Sequence, residues 1–478
     1  MALLGIDLGT SSIKVMVLDT QGHTLSVSKA NYTVTAPQPG WSESDPNEWW
    51  SALVSAVHTA MAQVPQAEIT AIGLSGQMHG VVLTDEEGLP QRPAMLWADQ
   101  RAQVELERYR MLPASLLERL TNPLVPGMAG PMLCWLAEHE ACSYQQARWA
   151  LQPKDWLRLR LTDEVATDKS DASATLLYDL LADRWADDVI AALNLKRCLL
   201  PPIIPSGAIA GQLSARTAEA LRLPMGLPVA TGAADTAAAA LGSGFLTPGP
   251  IQLTLGTGAQ LIQLCSEAMA DPTGRTHLYR AADGTHWYAM AAVQNAGLAL
   301  DWVRQMLGAT WNDVYRSATT VSAGADGLFF LPYLTRERPH HPLAESSGAF
   351  LGLRIDHRRE HLLHAALEGV AFGIRVAFEA LPAASKATAL CLAGGGSEHR
   401  AWCQMLADIL NRELLTVDTP AASVRGAALL GGIASGIWAD AWATASIAPR
   451  LSLVAAPSAE QGAVYNRVYI QYLESINQ

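Results

Sequence analysis

Two short turns carry the first chemical signal in the chain. Gly9-Thr10-Ser11-Ser12 separates two apolar runs, residues 3–8 and 13–18, and Gly256-Thr257-Gly258 interrupts a similar pair of runs within residues 250–264. A tight turn containing glycine exposes successive backbone N–H groups, which together make a concave anion site. The hydroxyls of Thr10, Ser11, Ser12 and Thr257 add donors, and Lys14 brings a positive charge close to the first turn. Taken singly, each turn reads as an ordinary hairpin. Two of them on opposing halves of a chain could grip a polyphosphate from both sides.

The carboxylates near these turns are the next candidates. Asp7 ends the run that leads into the first turn. An acid beside a phosphate site is repulsive unless a cation intervenes, and Mg²⁺ suits because it takes one or two carboxylates and fills its shell with water. The alternative for Asp7 is a turn cap. Asp235 follows a short apolar run at 229–231 and opens an alanine-rich stretch, where a helix should begin. It is either a helix cap or a base that orients a substrate hydroxyl and takes its proton during phosphoryl transfer. Gly394-Gly395-Gly396, after the apolar run at 389–392, either lets a planar ligand lie against the backbone or makes a flexible connection.

The histidines are less informative. His79 sits in a glycine-flanked loop, residues 75–80. His357, His361 and His364 have helical spacing, but no H-E-x-x-H order is present and Arg358 and Arg359 intervene, so a solvated helix start is the expectation rather than zinc. His340-His341 reads as an exposed loop. Trp41, Trp49 and Trp50 either stack a sugar or pack a helix end.

The elements that must position these residues alternate between strand-like and helical patterns, which argues for an α/β architecture. Strands are expected at 3–8, 13–18, 69–74, 229–231 and 389–392, and helices at 49–61, 100–112, 153–161, after Asp235, and at 363–381. Strand, Asp-Leu-Gly-Thr, strand near the start is echoed by strand, Thr-Leu-Gly-Thr, strand past the midpoint. In each half a helix, a further strand and a glycine-containing loop follow. The echo predicts two related lobes facing one another, with the division near residues 246–249: residues 1–245 form one and 246–478 the other.

Composition narrows the class. The chain has 478 residues, half of them hydrophobic, with 33 basic and 45 acidic side chains and a formal net charge of −12. Such a chain can bury a large core, and its acidity argues against nucleic acid or an anionic membrane as the main partner. The six cysteines include no C-x-x-C pair, so neither a disulfide framework nor a zinc ribbon is expected. The start lacks a basic segment ahead of its apolar run, and the apolar stretch at 427–438 is too short to cross a bilayer, so a cytoplasmic location is expected.

Longer motifs add a resemblance. Gly5-Ile6-Asp7-Leu8-Gly9-Thr10-Ser11, Ser75-Gly76-Gln77-Met78-His79-Gly80, Trp97-x-Asp99-x-Arg101, Pro153-Lys154-Asp155-Trp156-Leu157, Asp168-x-Ser170-Asp171-Ala172 and the stretch from Gly348 to Glu368 occur in order. Over residues 4–436 the chain resembles the FGGY carbohydrate kinases. The resemblance implies two actin-like lobes of the ribonuclease-H type, with ATP and Mg²⁺ in the cleft between them. It implies that Asp235 is the catalytic base and that Asp7, with Asp235, faces the metal. Met78, His79, Trp97 and Thr236 join Asp235 around the sugar. Thr10, Ser11, Ser12 and Lys14 on one side, and Gly256, Thr257 and Gly258 on the other, would face the phosphates. Gly394, Gly395 and Gly396 would lie under the adenosine.

The implied reaction is ATP-dependent phosphorylation of a ketopentose, D-xylulose first. The alternatives are ribulose, glycerol, erythritol or gluconate and, in a different class, a non-catalytic ATPase or sugar-sensing module. Small-molecule sugar and ATP are the expected partners, with no nucleic acid and no membrane; a homodimer stays open. Four positions depart from the family pattern. Thr236 replaces an asparagine, Gly258 a serine and Met132 a lysine, and Arg336-Glu337-Arg338-Pro339-His340 lacks a threonine before its proline.

Overall fold

In the computed structural model, which describes residues 1–335, 347–417, 419 and 421–476, the first two apolar runs pair as antiparallel strands β1 (Ala2–Leu8) and β2 (Ser12–Asp19). Every residue of β1 is buried, as a strand covered on both faces requires. Strand β3 (Thr24–Asn31) continues antiparallel beyond β2, and β4 (Ile69–Gly76) lies parallel on the other side of β1. Strands β5 (Ile209–Gln212) and β6 (Pro228–Ala230) complete the order β5-β6-β4-β1-β2-β3. A two-residue strand, Ala233–Ala234, pairs with Ser75 and Gly76 at the end of β4. Arg336 to His341 lie outside the described residues.

The second half repeats this plan. Strands β7 (Ile251–Leu255), β8 (Ala259–Cys265), β9 (His277–Arg280), β10 (Trp287–Val293), β11 (Ala389–Ala393), β12 (Glu413–Val417) and β13 (Leu451–Ala455) form a sheet in the order β9-β10-β8-β7-β11-β12-β13. With β9 set aside, strand for strand the senses agree: an antiparallel hairpin, a third antiparallel strand outside it, two parallel strands on the other flank and an antiparallel edge. The echo of the two Gly-Thr turns is therefore one topology used twice.

Helix α1 (Pro46–Gln63) begins where Asp45 accepts the Asn47 N–H at 2.9 Å and Pro46 presets the first turn. Helices α2 (Pro153–Thr162), α3 (Asp235–Gly242), α4 (Gly297–Met306), α5 (Trp311–Thr320), α6 (Arg359–Glu379) and α7 (Ala422–Ala434) matter most for the site. The continuous helix expected at 100–112 is broken into a single turn, Arg101–Gln103, and the short helix Leu106–Arg110. Its start is captured by tertiary contacts. The Arg101 guanidinium lies 3.5 Å from the Trp41 ring centre and 2.7 Å from both Glu43 and Asp99. Helix α6 alone among the described residues is long and apolar enough to cross a membrane, but it is mostly buried in the core of the second sheet's lobe.

Helix α7, late in the chain, packs on β1 and β4 of the first sheet and against α3. The approach is very close. A Cβ at Gly426 would stand 1.8 Å from the Ala238 carbonyl oxygen of α3, and one at Gly73 in β4 would stand 1.8 Å from the Ala427 carbonyl oxygen. Only glycine allows backbones to meet at that separation. Packing thus crosses the division expected at 245/246 and ties the helix that Asp235 opens to the first turns of α7.

Candidate active site

The acidic pair sits where these elements converge. Asp7, at the end of β1, is buried and accepts a hydrogen bond at each oxygen: Ser75 Oγ donates to Oδ1 at 2.8 Å and Ser423 Oγ to Oδ2 at 2.7 Å. Ser423 reaches it from the first turn of α7. Asp235 is the first residue of α3 and is half-buried. It does not cap the helix, since Ala234 holds the cap position and the Asp235 carboxylate accepts the N–H of its neighbour Thr236 at 2.6 Å. Burial pushes the Asp235 carboxyl up to about 7, the negative charge of Asp7 adds to the push, and the Thr236 N–H and hydroxyl oppose it. Among the described residues no cation lies within ion-pair distance of either acid.

The first turn is held from three sides. The Gly9 N–H donates to the Ser12 carbonyl at 3.0 Å, the Tyr32 hydroxyl donates to the Gly9 carbonyl, and Trp97 Nε1 donates to Thr10 Oγ1 at 3.0 Å. Trp97 is itself 41% exposed, so its ring presents a face to solvent. Lys14 stands opposite Asp7 in the β1–β2 register.

Past Gly76 the chain turns sharply. His79 takes a left-handed backbone conformation (φ 72°), and its Nδ1 lies 2.7 Å from the Ala174 carbonyl oxygen. A carbonyl only accepts, so Nδ1 carries the proton. Met78 is buried, and its sulfur lies 3.8 Å from the Tyr288 hydroxyl, which comes from β10 of the second sheet. Gln260, on β8, places Nε2 3.5 Å from Thr236 Oγ1. The second lobe therefore forms part of the wall around Met78, Thr236 and Asp235. Sequence reasoning misses Tyr288, Gln260 and Ser423, because nothing local in their surroundings announces a partner so far along the chain.

The second turn builds a separate cavity of about 730 Å³, lined by Gly256, Thr257, Gly395, Gly396 and an aromatic wall. The Gly297 and Leu298 N–H groups at the start of α4 donate to the carbonyls of Gly256 and Thr257 at 3.2 and 2.8 Å. Those carbonyls are thereby turned toward the helix. Gly394 has φ 86°, and a Cβ there would sit 2.3 Å from the Leu255 carbonyl oxygen, so only glycine brings this loop onto the end of β7. A Cβ at Gly258 would sit 2.7 Å from the Val293 carbonyl oxygen, which accounts for the missing serine at that position. Tyr315 stacks on His399 with centres 4.4 Å apart and planes 17° apart, and Trp311 extends the stack. This aromatic face is a second feature that sequence reasoning misses. The structure brings Gly256 and Thr257 together with Gly395 and Gly396, but Thr10, Ser11, Ser12 and Lys14 do not line the same cavity.

Two lobes of one topology, with an interacting acidic pair on the first and a glycine-lined cavity on the second, define a phosphotransferase of the actin-like kind. Residues 2–242 match the N-terminal domain of the FGGY family of carbohydrate kinases and residues 251–435 its C-terminal domain. The chain belongs to that family, and it is an ATP-using carbohydrate kinase. It is 35% identical to a xylulose kinase of Klebsiella pneumoniae over 413 residues, which is 86% of this chain and 85% of the relative. It is 33% identical to one of Escherichia coli over the same shares. Among solved structures, a xyloylose kinase from Brucella ovis superposes with TM-score 0.92 at 34% identity, over 99% of this chain and 98% of that one.

Proposed function

We propose that the chain transfers the terminal phosphoryl group of ATP to the primary hydroxyl of D-xylulose, with Asp235 as the base. The observation that carries this reading is the placement of the Asp235 carboxyl, half-buried and adjoining the loop that holds Met78 and His79. The relatives named xylulose kinase support the choice of sugar.

In this mechanism Met78, His79 and Thr236 hold the sugar, with Trp97 beside the first turn. The N–H groups and hydroxyls of Thr10, Ser11, Ser12 and Thr257 hold the phosphates, Gly256 closes the second turn through its N–H bond to the Gly258 carbonyl at 2.8 Å, and Lys14 adds positive charge. Gly394 to Gly396 underlie the adenosine. Asp235 orients the primary hydroxyl and takes its proton as the phosphoryl group transfers. Lobe closure excludes water, which would otherwise compete as acceptor. The residues fit Mg²⁺: two carboxylates interact, among the described residues no cation pairs with either, and no described group bonds Asp235 Oδ2. Asp7 and Asp235 would hold the ion, which when bound neutralises charge on the transferring phosphoryl group. Residues 1–245 form the sugar-binding lobe in this reading and 246–478 the nucleotide lobe, in a cytoplasmic enzyme.

A carboxyl must be ionised to take a proton. The acceptor kcat/KM should therefore climb as pH rises to about 7 and level off above it. Asp7→Asn removes a charge that raises Asp235, so the limb should move to lower pH in that variant. A limb near the ordinary value of 3.8 in the unaltered enzyme would contradict the assignment. An ADP-release screen over D-xylulose, ribulose, glycerol, erythritol and gluconate tests the sugar. D-xylulose should lead in kcat/KM by about tenfold or more. Gluconate or another polyol in first place would reassign the substrate.

A further inference from the structure

A buried ionic cluster lies directly behind the segment that leads into Asp235. Lys154, fully buried on α2, contacts three carboxylates: Asp155 at 2.6 Å, Asp168 at 2.9 Å and Asp171 at 3.0 Å. Burial alone would strip the proton from Lys154, but the surrounding acids reverse that and keep it charged. Arg158, one turn along α2, binds Asp155 at 2.8 Å.

This cluster grips the backbone before the base at three points. Arg158 Nη1 donates to the Thr231 carbonyl at 3.0 Å. The Ser206 carbonyl accepts the Gly232 N–H at 3.0 Å. Ser170 Oγ accepts the Ala234 N–H at 2.9 Å and donates its own proton to Asp168 Oδ2 at 2.5 Å. Asp168 Oδ2 also accepts the Ser170 N–H and the Ser206 hydroxyl, at 2.9 and 2.8 Å. The Ser170 hydroxyl is thus locked in one orientation, with a lone pair aimed at the residue immediately before Asp235. Buried ion pairs add little net stability once desolvation is counted. What this one does is hold a backbone position.

We propose that Ser170, oriented by the Lys154–Asp168 pair, is a positioning residue that sets where the Asp235 carboxylate stands relative to the acceptor hydroxyl. The proposal rests on Asp235 being the base of a sugar kinase. Ser170 is fully buried. It acts through the Ala234 N–H, and a displacement of about 1 Å at a reacting group can cost about 10²-fold in rate.

Ser206 supplies the control. Its hydroxyl makes the same kind of bond to the same Asp168 oxygen, while its grip on Gly232 is through its carbonyl and survives substitution. Ser170→Ala and Ser206→Ala should lower the melting temperature to a similar extent. Ser170→Ala should also lower kcat about tenfold or more, with the KM values for sugar and ATP within about twofold; Ser206→Ala should leave kcat within about twofold. Ser170→Cys fills the same space with a poor acceptor and should reproduce the kcat loss, which covers the case in which the alanine variant folds badly. Equal kcat losses at 170 and 206, or a Ser170→Cys variant with normal kcat, would overturn the proposal. Failure of the underlying reading would look different: Asp235→Asn would keep near-normal sugar-dependent ADP release.

Discussion

Asp235→Asn should lower kcat by about 10²- to 10⁴-fold, the range of general-base contributions, while sugar and ATP still bind. Asparagine keeps the size and the hydrogen bond from the Thr236 N–H but has no basic oxygen. The same variant should be more stable than the parent at high pH. The folded Asp235 carboxyl is raised to about 7 from an ordinary 3.8. Its contribution to stability is therefore complete below 3.8 and is lost as pH rises through 7. The neutral amide escapes that loss, so the melting-temperature gain should be near zero at low pH and largest above neutrality. Falling activity with rising stability separates a lost base from a damaged fold. Near-normal turnover in Asp235→Asn would remove the residue from its role.

Gly426→Ala should be among the most damaging single-methyl changes at the described residues. The added carbon would lie 1.8 Å from the Ala238 carbonyl oxygen, a backbone atom that no rotamer change can move away. Overpacking of this kind costs about 3 kcal/mol or more. Its consequences extend to the chemistry, because α3 begins with Asp235 and α7 begins beside Ser423, the residue that holds Asp7. Forcing the helices apart separates the two acids. We expect a large fall in soluble yield or melting temperature, with sugar-dependent turnover lost in what remains. Gly395→Ala is the comparison: no atom lies within 4 Å of its added carbon, so stability should hold. Gly395 lines the cavity proposed above for the nucleotide, so the ATP KM should rise instead. A Gly426→Ala protein as stable as the parent would show that α3 and α7 do not meet as described.

What was legible in the sequence is what is local. The two Gly-Thr turns, Asp7 at a strand end and Asp235 at a helix start announce themselves through immediate neighbours, and the doubled topology shows through the repeated strand–turn–strand pattern. Long-range contacts leave no such trace. Asp7 is held by Ser423, 416 positions away. Lys154 reads as one charge in a helical stretch, and only the folded chain brings Asp155, Asp168 and Asp171 around it. Tyr288 reaches Met78 across the two lobes. Residues 100–112 have helical spacing, yet the pull of Asp99, Glu43 and Trp41 on Arg101 breaks the helix at its start. Helix limits elsewhere move by a few residues, as at α6, which begins at Arg359 rather than 363.

The central claim is that the cleft hands the terminal phosphoryl group of ATP to a primary sugar hydroxyl and not to water. ³¹P nuclear magnetic resonance of the enzyme turning over ATP and D-xylulose measures this directly. The account predicts a new phosphomonoester signal, split by the two protons of a methylene carbon and growing in step with ADP. Inorganic phosphate growing in step with ADP, with no monoester signal, would contradict it.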